Sequence, residues 1–320
     1  MSYFKYFISI FIFTFKINYI IINLKKERST NFKQEVGFMY KFPIGVIIDS
    51  FRTDTREAIN QAAAIGASGI QMYCTKGENA PENLLGSKRK ELLDYVKSNG
   101  LIFSAICGDL GKGFSNPELN PELIEKSKRI MDLAKDLECD IVTTHIGVVP
   151  ANPAHDRYKI MQEACVSLAE YADSIGSKFA VETGPETSIV LKKFLDSLES
   201  KGVSVNLDPA NLVMVTGDDP VGAVYNLKDY IVHTHAKDGI KLSECNPEYI
   251  YGVSETPDYL KGKQVFKEVP LGTGSVDFKK YLEALTDIGF KGFLTIEREV
   301  GEEPAKDIKT AVDFLNGFIK

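Results

Sequence analysis

Residues 178–184 read K-F-A-V-E-T-G, 203–211 read V-S-V-N-L-D-P-A-N, 231–238 read I-V-H-T-H-A-K-D, and 292–299 read G-F-L-T-I-E-R-E. Each is a short, mainly apolar run of the kind found in strands buried on both faces, and each ends on a side chain that can bind a metal. Those ends are Glu182, Asp208, His235 and Glu297. Helical periodicity fills the gaps, over Thr187–Ser200, Pro220–Leu227 and Phe278–Ile288, with Pro304–Phe318 closing the series. Working back toward the amino terminus, the same unit recurs. Strands are expected at Ile44–Ile48, Gly69–Tyr73, Ile102–Cys107 and Asp140–His145, ahead of those at Lys178–Glu182, Ser204–Asp208, Ile231–His235 and Gly292–Glu297. Helices are expected at Thr55–Ile65, Lys88–Ser98, Pro121–Leu137 and Asp156–Ile175. Gly100, Gly176 and Gly202 stand where helices should stop.

Strands alternating with helices give a parallel sheet, because parallel neighbours need a crossover. Eight such repeats predict an α/β fold closed as a (β/α)8 TIM barrel, a single domain over residues 39–320. An open doubly wound sheet binding a dinucleotide would carry G-x-G-x-x-G after the first strand, and that position reads I-I-D-S-F-R. The long interruption from Gly239 to Pro270 has the length of a lid or a substrate wall.

The first 38 residues differ in composition from the rest, being dominated by Phe, Ile, Tyr, Asn, Lys and Ser. Three readings stand: a disordered or spurious extension ahead of a start at Met39, a membrane anchor, or a cleaved signal. The uncharged run Tyr6–Phe15 is too short for the roughly 20 residues of a spanning helix, and no small-residue cleavage site follows it. The protein would meet a membrane only if this extension were an anchor.

The remaining chain, with 26% charged and 44% hydrophobic residues overall, suits a soluble globular domain. A net charge of −6 argues against nucleic acid as a partner but leaves room for a small, locally bound anion. The five cysteines are odd in number, widely spaced and without a C-x-x-C pair, which fits a reducing, cytoplasmic setting better than a disulfide scaffold.

In barrels of this type the working residues lie where strands end. One acidic strand end means little, but four successive ones offering Glu, Asp, His and Glu point to a common site. Three carboxylates converging in a cleft of low dielectric repel unless a cation neutralises them. The donor set suits one divalent metal ion, and Mn²⁺, Mg²⁺, Co²⁺ and Zn²⁺ all fit it.

Taken with P-L-G-T-G-S-V-D-F at 270–278, these motifs resemble the sugar phosphate isomerase/epimerase group of xylose isomerase-like barrels, over residues 43 to 318. The resemblance implies that Glu182, Asp208, His235 and Glu297 are metal ligands and that Glu182 and Glu297 also exchange protons with substrate. It implies a small sugar, sugar phosphate or polyol ketone as substrate, isomerised or epimerised through an enediolate, with a homo-oligomer common in the group. The rivals are a metal-assisted hydride shift, in which substrate carbons exchange no protons with solvent, and a non-catalytic sugar-binding barrel. An apurinic endonuclease of the same superfamily needs more histidines than the four present, and Asn211 stands where such enzymes carry one.

Further substrate contacts are expected from His145, which ends strand four, from Asn211 just beyond Asp208, and from Lys237 after the ligand histidine. Glu186 is either a substrate contact or a favourable charge in the first turn of a helix. His233 should face the same side as His235 but one layer deeper. The glycines of C-G-D-L-G-K-G at 107–113 and of Gly272–Gly274 allow either close approach to a ligand or simple flexibility.

Overall fold

The computed structural model describes residues 40–319, so the expectations for residues 1–38 lie outside the described residues. The chain divides into a main body, Lys41–Gly317, and a second unit to which Tyr40, Phe318 and Ile319 belong. Within that second unit, the Tyr40 amide donates to the Phe318 carbonyl at 2.9 Å.

The strands are β1 (Ile44–Ile47), β2 (Gly69–Tyr73), β3 (Ile102–Cys107), β4 (Ile141–Thr144), β5 (Lys178–Glu182), β6 (Val203–Leu207), β7 (Ile231–Ala236), β8 (Asp238–Lys241), β9 (Phe266–Val269) and β10 (Leu294–Ile296). Among the described residues, β1 to β7 and β10 form a closed parallel barrel in the order β1-β10-β7-β6-β5-β4-β3-β2. Closure is visible at Val46, which is in register with Ile70 on one side and Ile296 on the other. The main helices are α1 (Thr55–Ala64), α2 (Ser87–Ser98), α3 (Asn120–Asp136), α4 (Asp156–Ile175), α5 (Ser188–Asp196), α6 (Pro220–Leu227), α7 (Phe278–Asp287) and α8 (Pro304–Asn316). This is the (β/α)8 barrel expected from the alternation.

Strand alternation sorts the side chains. Ile70, Met72, Phe179, Val181, Val203 and Val205 are buried apolar residues of the strands. Several buried polar residues occupy the other parity: Gln71, Thr143, Glu182, Asn206, His233, His235 and Thr295. A buried polar group is costly without a partner, and several of these satisfy one another. Gln71 donates to Thr143 Oγ1 at 3.1 Å, and its Oε1 lies 3.1 Å from His233 Nε2 and 3.2 Å from His235 Nε2. At the other end of the barrel, Gly45 and Gly69 leave room for Phe293, whose ring would lie 2.4 Å from a Cβ at position 69.

Two departures from the sequence expectation have physical causes. Helix α5 stops at Asp196 rather than Ser200, and Glu199 takes φ 53°, a left-handed conformation that no α-helix accommodates. The Gly239–Pro270 interruption is not irregular throughout. Its ends pair as the antiparallel ribbon β8–β9, with Asp238 opposite Val269 and Lys241 opposite Phe266, and a short helical turn at Pro247–Ile250 lies between them. Charged residues in D-G-I-K and F-K-E-V hide the strand pattern, since a ribbon outside the barrel needs only part of its surface buried.

Candidate metal centre

Glu182, Asp208, His235 and Glu297 come together at the carboxyl-terminal ends of β5, β6, β7 and β10, and each offers one donor atom within 4.8 Å of the others. All four are buried, with Asp208 at 0% and His235 at 1% exposure. His235 Nδ1 faces the three carboxylates, at 3.6 Å from Glu182 Oε1, 3.5 Å from Asp208 Oδ2 and 3.3 Å from Glu297 Oε2. Among the described residues, Asp208 Oδ2 and His235 Nδ1 are buried and have no hydrogen-bond partner. Buried polar atoms are rarely orphaned, and two orphans aimed at one point among carboxylates are what a divalent cation would satisfy. The residues therefore fit a metal ion: three carboxylate oxygens and one imidazole nitrogen.

Neighbours fix each donor. Asp208 Oδ1 accepts from the Asn211 amide at 2.9 Å, leaving Oδ2 free for the site. The Asp208 amide donates to Thr183 Oγ1 at 2.9 Å, and Thr183 Oγ1 donates in turn to the Asp208 carbonyl, so the ends of β5 and β6 are tied together. Asn211 Nδ2 donates to Glu182 Oε1 at 2.8 Å, and Asn206 Nδ2 lies 3.3 Å from Glu182 Oε2. His235 Nε2 lies 3.2 Å from Gln71 Oε1 and 3.1 Å from Asn206 Nδ2, which fixes the ring with Nδ1 turned toward the carboxylates. His233 lies on the same side and packs edge-on against His235, bonded to the same glutamine, as its spacing predicts.

Lys237 is buried beside the cluster. Its ammonium donates to Glu297 Oε2 at 2.9 Å and to Glu299 Oε2 at 2.5 Å, with Asp208 and Glu268 carboxylates at 4.0 Å. Burial opposes its charge, yet Glu297 and Asp208 drive its pKa well above the ordinary lysine value. Burial would raise Glu297, but Lys237 and His235 beside it hold its carboxyl well below the usual range. His235 is likewise disfavoured as a cation by burial, while Glu182 and Glu297 push its pKa well above the usual value.

His145, just past β4, reaches the same cavity. Its Nδ1 is 2.9 Å from Asp109 Oδ2 and its Nε2 is 3.8 Å from Glu182 Oε1. Burial opposes a charged ring, but Glu182 and Asp109 together raise its pKa to about 9. Glu186 precedes the α5 cap Thr187 and so lies outside the helix's first turn. Its Oε2 accepts from the Val149 amide at 3.0 Å while Oε1 is buried without a partner among the described residues. Burial lifts its pKa to about 8, against the pull of the Val149 amide.

The cavity has a volume of 410 Å³. Glu182, His235, Glu297, His145 and Asp109 form its polar side, with Asp208 buried behind them, and Met214, Val215, Ile250, Tyr251 and Phe266 an apolar wall. Ile250, Tyr251 and Phe266 come from the 239–270 segment, the wall its length suggested. Arg157 on α4 pairs with Glu248 in that segment, and Glu248 Oε2 accepts from Ser254 Oγ at 2.7 Å.

Four residues contribute in ways that the motifs did not make evident. Gln71 is a lone polar residue inside G-I-Q-M-Y, a signal that can be recognised once strand parity is known. Tyr73 and Glu268 line the cavity from β2 and β9. Asp238 is a staple: its carboxylate accepts from the amides of Gly239, Gly272, Gly274 and Val276 at 2.9, 3.0, 2.8 and 3.1 Å. A Cβ on Gly274 would lie 2.1 Å from Asp238 Oδ1, so that glycine makes way for the carboxylate.

A parallel barrel that gathers Glu182, Asp208, His235 and Glu297 at the ends of its last four barrel strands defines a class of (β/α)8 proteins with a candidate metal site. The sequence model of the Xylose isomerase-like TIM barrel matches residues 59–318, and the chain belongs to that family. An inosose dehydratase of Lacticaseibacillus casei is 27% identical over 156 residues, 47% of this chain and 49% of that protein. An inosose isomerase of Bacillus licheniformis is 24% identical over 185 residues, 55% of this chain and 60% of that protein. The chain thus matches about half the length of these curated relatives. A xylose isomerase domain protein from Planctomyces limnophilus superposes with a TM-score of 0.70 at 25% identity, over 88% of this chain and 97% of that one.

Proposed function

We propose that the protein is a divalent metal-dependent isomerase or epimerase acting on a small sugar, sugar phosphate or polyol ketone. The observation that carries this reading is the placement of Glu182 and Glu297 in one ligand cluster but on strands separated by β6 and β7, so that the two carboxylates flank whatever the site holds. Family membership and relatives named for isomerase and dehydratase activity support an isomerase-type enzyme.

A divalent cation held by Glu182, Asp208, His235 and Glu297 would polarise a carbonyl and neighbouring hydroxyl and lower the cost of enediolate charge. The chain's own groups do the rest. One glutamate takes the proton α to the carbonyl, and the other returns one, from the opposite face for epimerisation or to the next carbon for isomerisation. Lys237 keeps Glu297 ionised, and Asn211 orients Glu182. His145, backed by Asp109, stands beside Glu182 where a hydroxyl could exchange a proton with it. Glu186, expected from the sequence as a substrate contact, is buried against the Val149 amide and is not among the residues that line the cavity; the apolar wall supports the carbon skeleton.

The test is turnover of a ketose, pentulose phosphate and inosose panel by Mn²⁺-loaded protein in D₂O. Deuterium in substrate or product supports proton transfer, whereas turnover without deuterium indicates a hydride shift. Glu182→Gln or Glu297→Gln that left both metal binding and turnover intact would overturn the assignment. A second reading, loss of water from a polyol ketone, is favoured by the Asp109–His145 pair beside Glu182, since elimination needs an acid for the departing hydroxyl. An unsaturated product from inosose in the same panel would establish it.

A further inference from the structure

Beside the metal cavity lies a second hollow of 760 Å³, and the two share Tyr73 and Asp109 as walls. Its sides come from the β2–α2 segment, the β3–α3 segment and helix α3. Four cations border it: Lys76, Lys112, Lys126 and Arg129. Lys126 is paired with Glu122 at 2.6 Å. Among the described residues, Lys76, Lys112 and Arg129 form no ion pair or hydrogen bond through their side chains.

The acidic residues do not cancel these charges. Asp109 is committed to His145 and to the Gly111 amide, and Glu122 to Lys126. Glu82 is the acidic residue of the hollow without an ion pair, among the described residues. The lining carries four cations against the three carboxylates of Glu82, Asp109 and Glu122, a local positive excess in a protein whose net charge is −6. Lys112 lies between Gly111 and Gly113, both at positive φ (67° and 59°). Gly113 cannot carry a side chain, since a Cβ there would lie 2.7 Å from the Ile146 carbonyl. The loop therefore holds Lys112 on a constrained backbone. The floor is apolar, from Leu119, Leu123 and Ile130, with Leu119 41% exposed.

We propose that this hollow binds the anionic end of the substrate, a phosphate or carboxylate carried on an arm that extends from the carbons held in the metal cavity. The inference rests on the sugar-isomerase reading and narrows its substrate class to anionic ketoses. An arm reaching past Tyr73 would set its anion among Lys76, Lys112 and Arg129 while its carbons cover the leucine and isoleucine floor. Exposed ion pairs are individually weak, about two- to fivefold in affinity each, so three acting together give about tenfold or more.

The experiment compares Mn²⁺-loaded wild type with the Lys76→Ala/Lys112→Ala/Arg129→Ala triple variant on D-ribulose, D-ribulose 5-phosphate and D-fructuronate. Wild type should show the lower KM for an anionic ketose, and the triple variant should raise that KM by about tenfold or more while leaving kcat within about twofold. Preference for the phosphate or for the uronate identifies which anion the hollow takes. Unchanged kinetics on D-ribulose show that the variant is folded. Calorimetric binding of ribitol 5-phosphate against ribitol gives a readout that needs no turnover, so a wrong reaction assignment is separable from a wrong anion site. Equal affinity for the two polyols together with equal kcat/KM for neutral and anionic ketoses would refute the proposal. A charge preference that survives in the triple variant would refute it as well.

Discussion

Replacing Lys237 with Met removes the one ammonium buried against the metal cluster among the described residues while keeping most of its volume. At 2.9 Å from Glu297 Oε2, the pair is worth about 6 kcal/mol of Coulomb attraction at an effective dielectric of 20. Part of that is offset by the cost of burying the ammonium, and stripping one partner from a buried pair typically costs about 3–5 kcal/mol. The contact with Glu299, whose side chain is 59% exposed, adds little to this because water screens it. The expected result is therefore a loss of about 3–5 kcal/mol in unfolding free energy at pH 7, measured by urea denaturation in EDTA. The pH dependence supplies a second check. Glu297 has a depressed folded-state pKa, so in wild type its contribution is present above the unfolded carboxylate pKa and is lost as pH falls through the lower folded value. Without Lys237 the carboxyl protonates more readily, and the gap between wild type and variant should narrow steadily from pH 7 toward pH 4. Saturating Mn²⁺ should also narrow it, since the cation replaces the missing positive charge. A loss under about 1 kcal/mol in EDTA, or a gap independent of pH, would refute the view of Lys237 as the counter-ion of Glu297.

Mn²⁺ binding measured by calorimetry should be abolished by Asp208→Ala or His235→Ala. In wild type the affinity should rise with pH between 6 and 8, because a proton on His235, favoured by Glu182 and Glu297, competes with the metal. Gln71→Leu removes the Oε1 contact to the outer nitrogen of His235 and should weaken Mn²⁺ by about 10- to 100-fold with the fold intact by circular dichroism. Gly184→Ala places a Cβ 2.6 Å from that of Asn211 at φ 135°, and should displace the amide holding Glu182; unchanged Mn²⁺ affinity would show that Asn211 does not position Glu182. Glu186 is an acid with a raised pKa of about 8, so the folded state holds a proton that the unfolded state releases, and stability should fall as pH rises from 5 to 8. The Glu186→Gln protein should lack this contribution, seen as a flatter plot of urea-unfolding free energy against pH.

The sequence by itself determined the barrel and which four donor-bearing side chains gather at one end of it. Both follow from local rules: apolar strands alternating with periodic helices, and strand ends at Glu182, Asp208, His235 and Glu297, which a parallel barrel must gather on one rim. Parity also placed His233 beneath His235. The tertiary structure decided what the donors' neighbours do. Lys237, legible only as a cation near the site, spends its charge on Glu297 and Glu299 because residues distant in sequence close around it. Asp238 and the G-T-G glycines form a single staple, and Gln71 reaches across the barrel to two histidines, contacts between segments that no local pattern links. The 239–270 segment was recognisable as a wall by its length, but its β8–β9 ribbon was not, because the pairing partner lies beyond a long, weakly patterned loop. The second hollow belongs to the same class: Lys76, Lys112 and Arg129 are ordinary surface charges in the chain, and only packing of helix α3 beside two strand-end loops brings them to one opening.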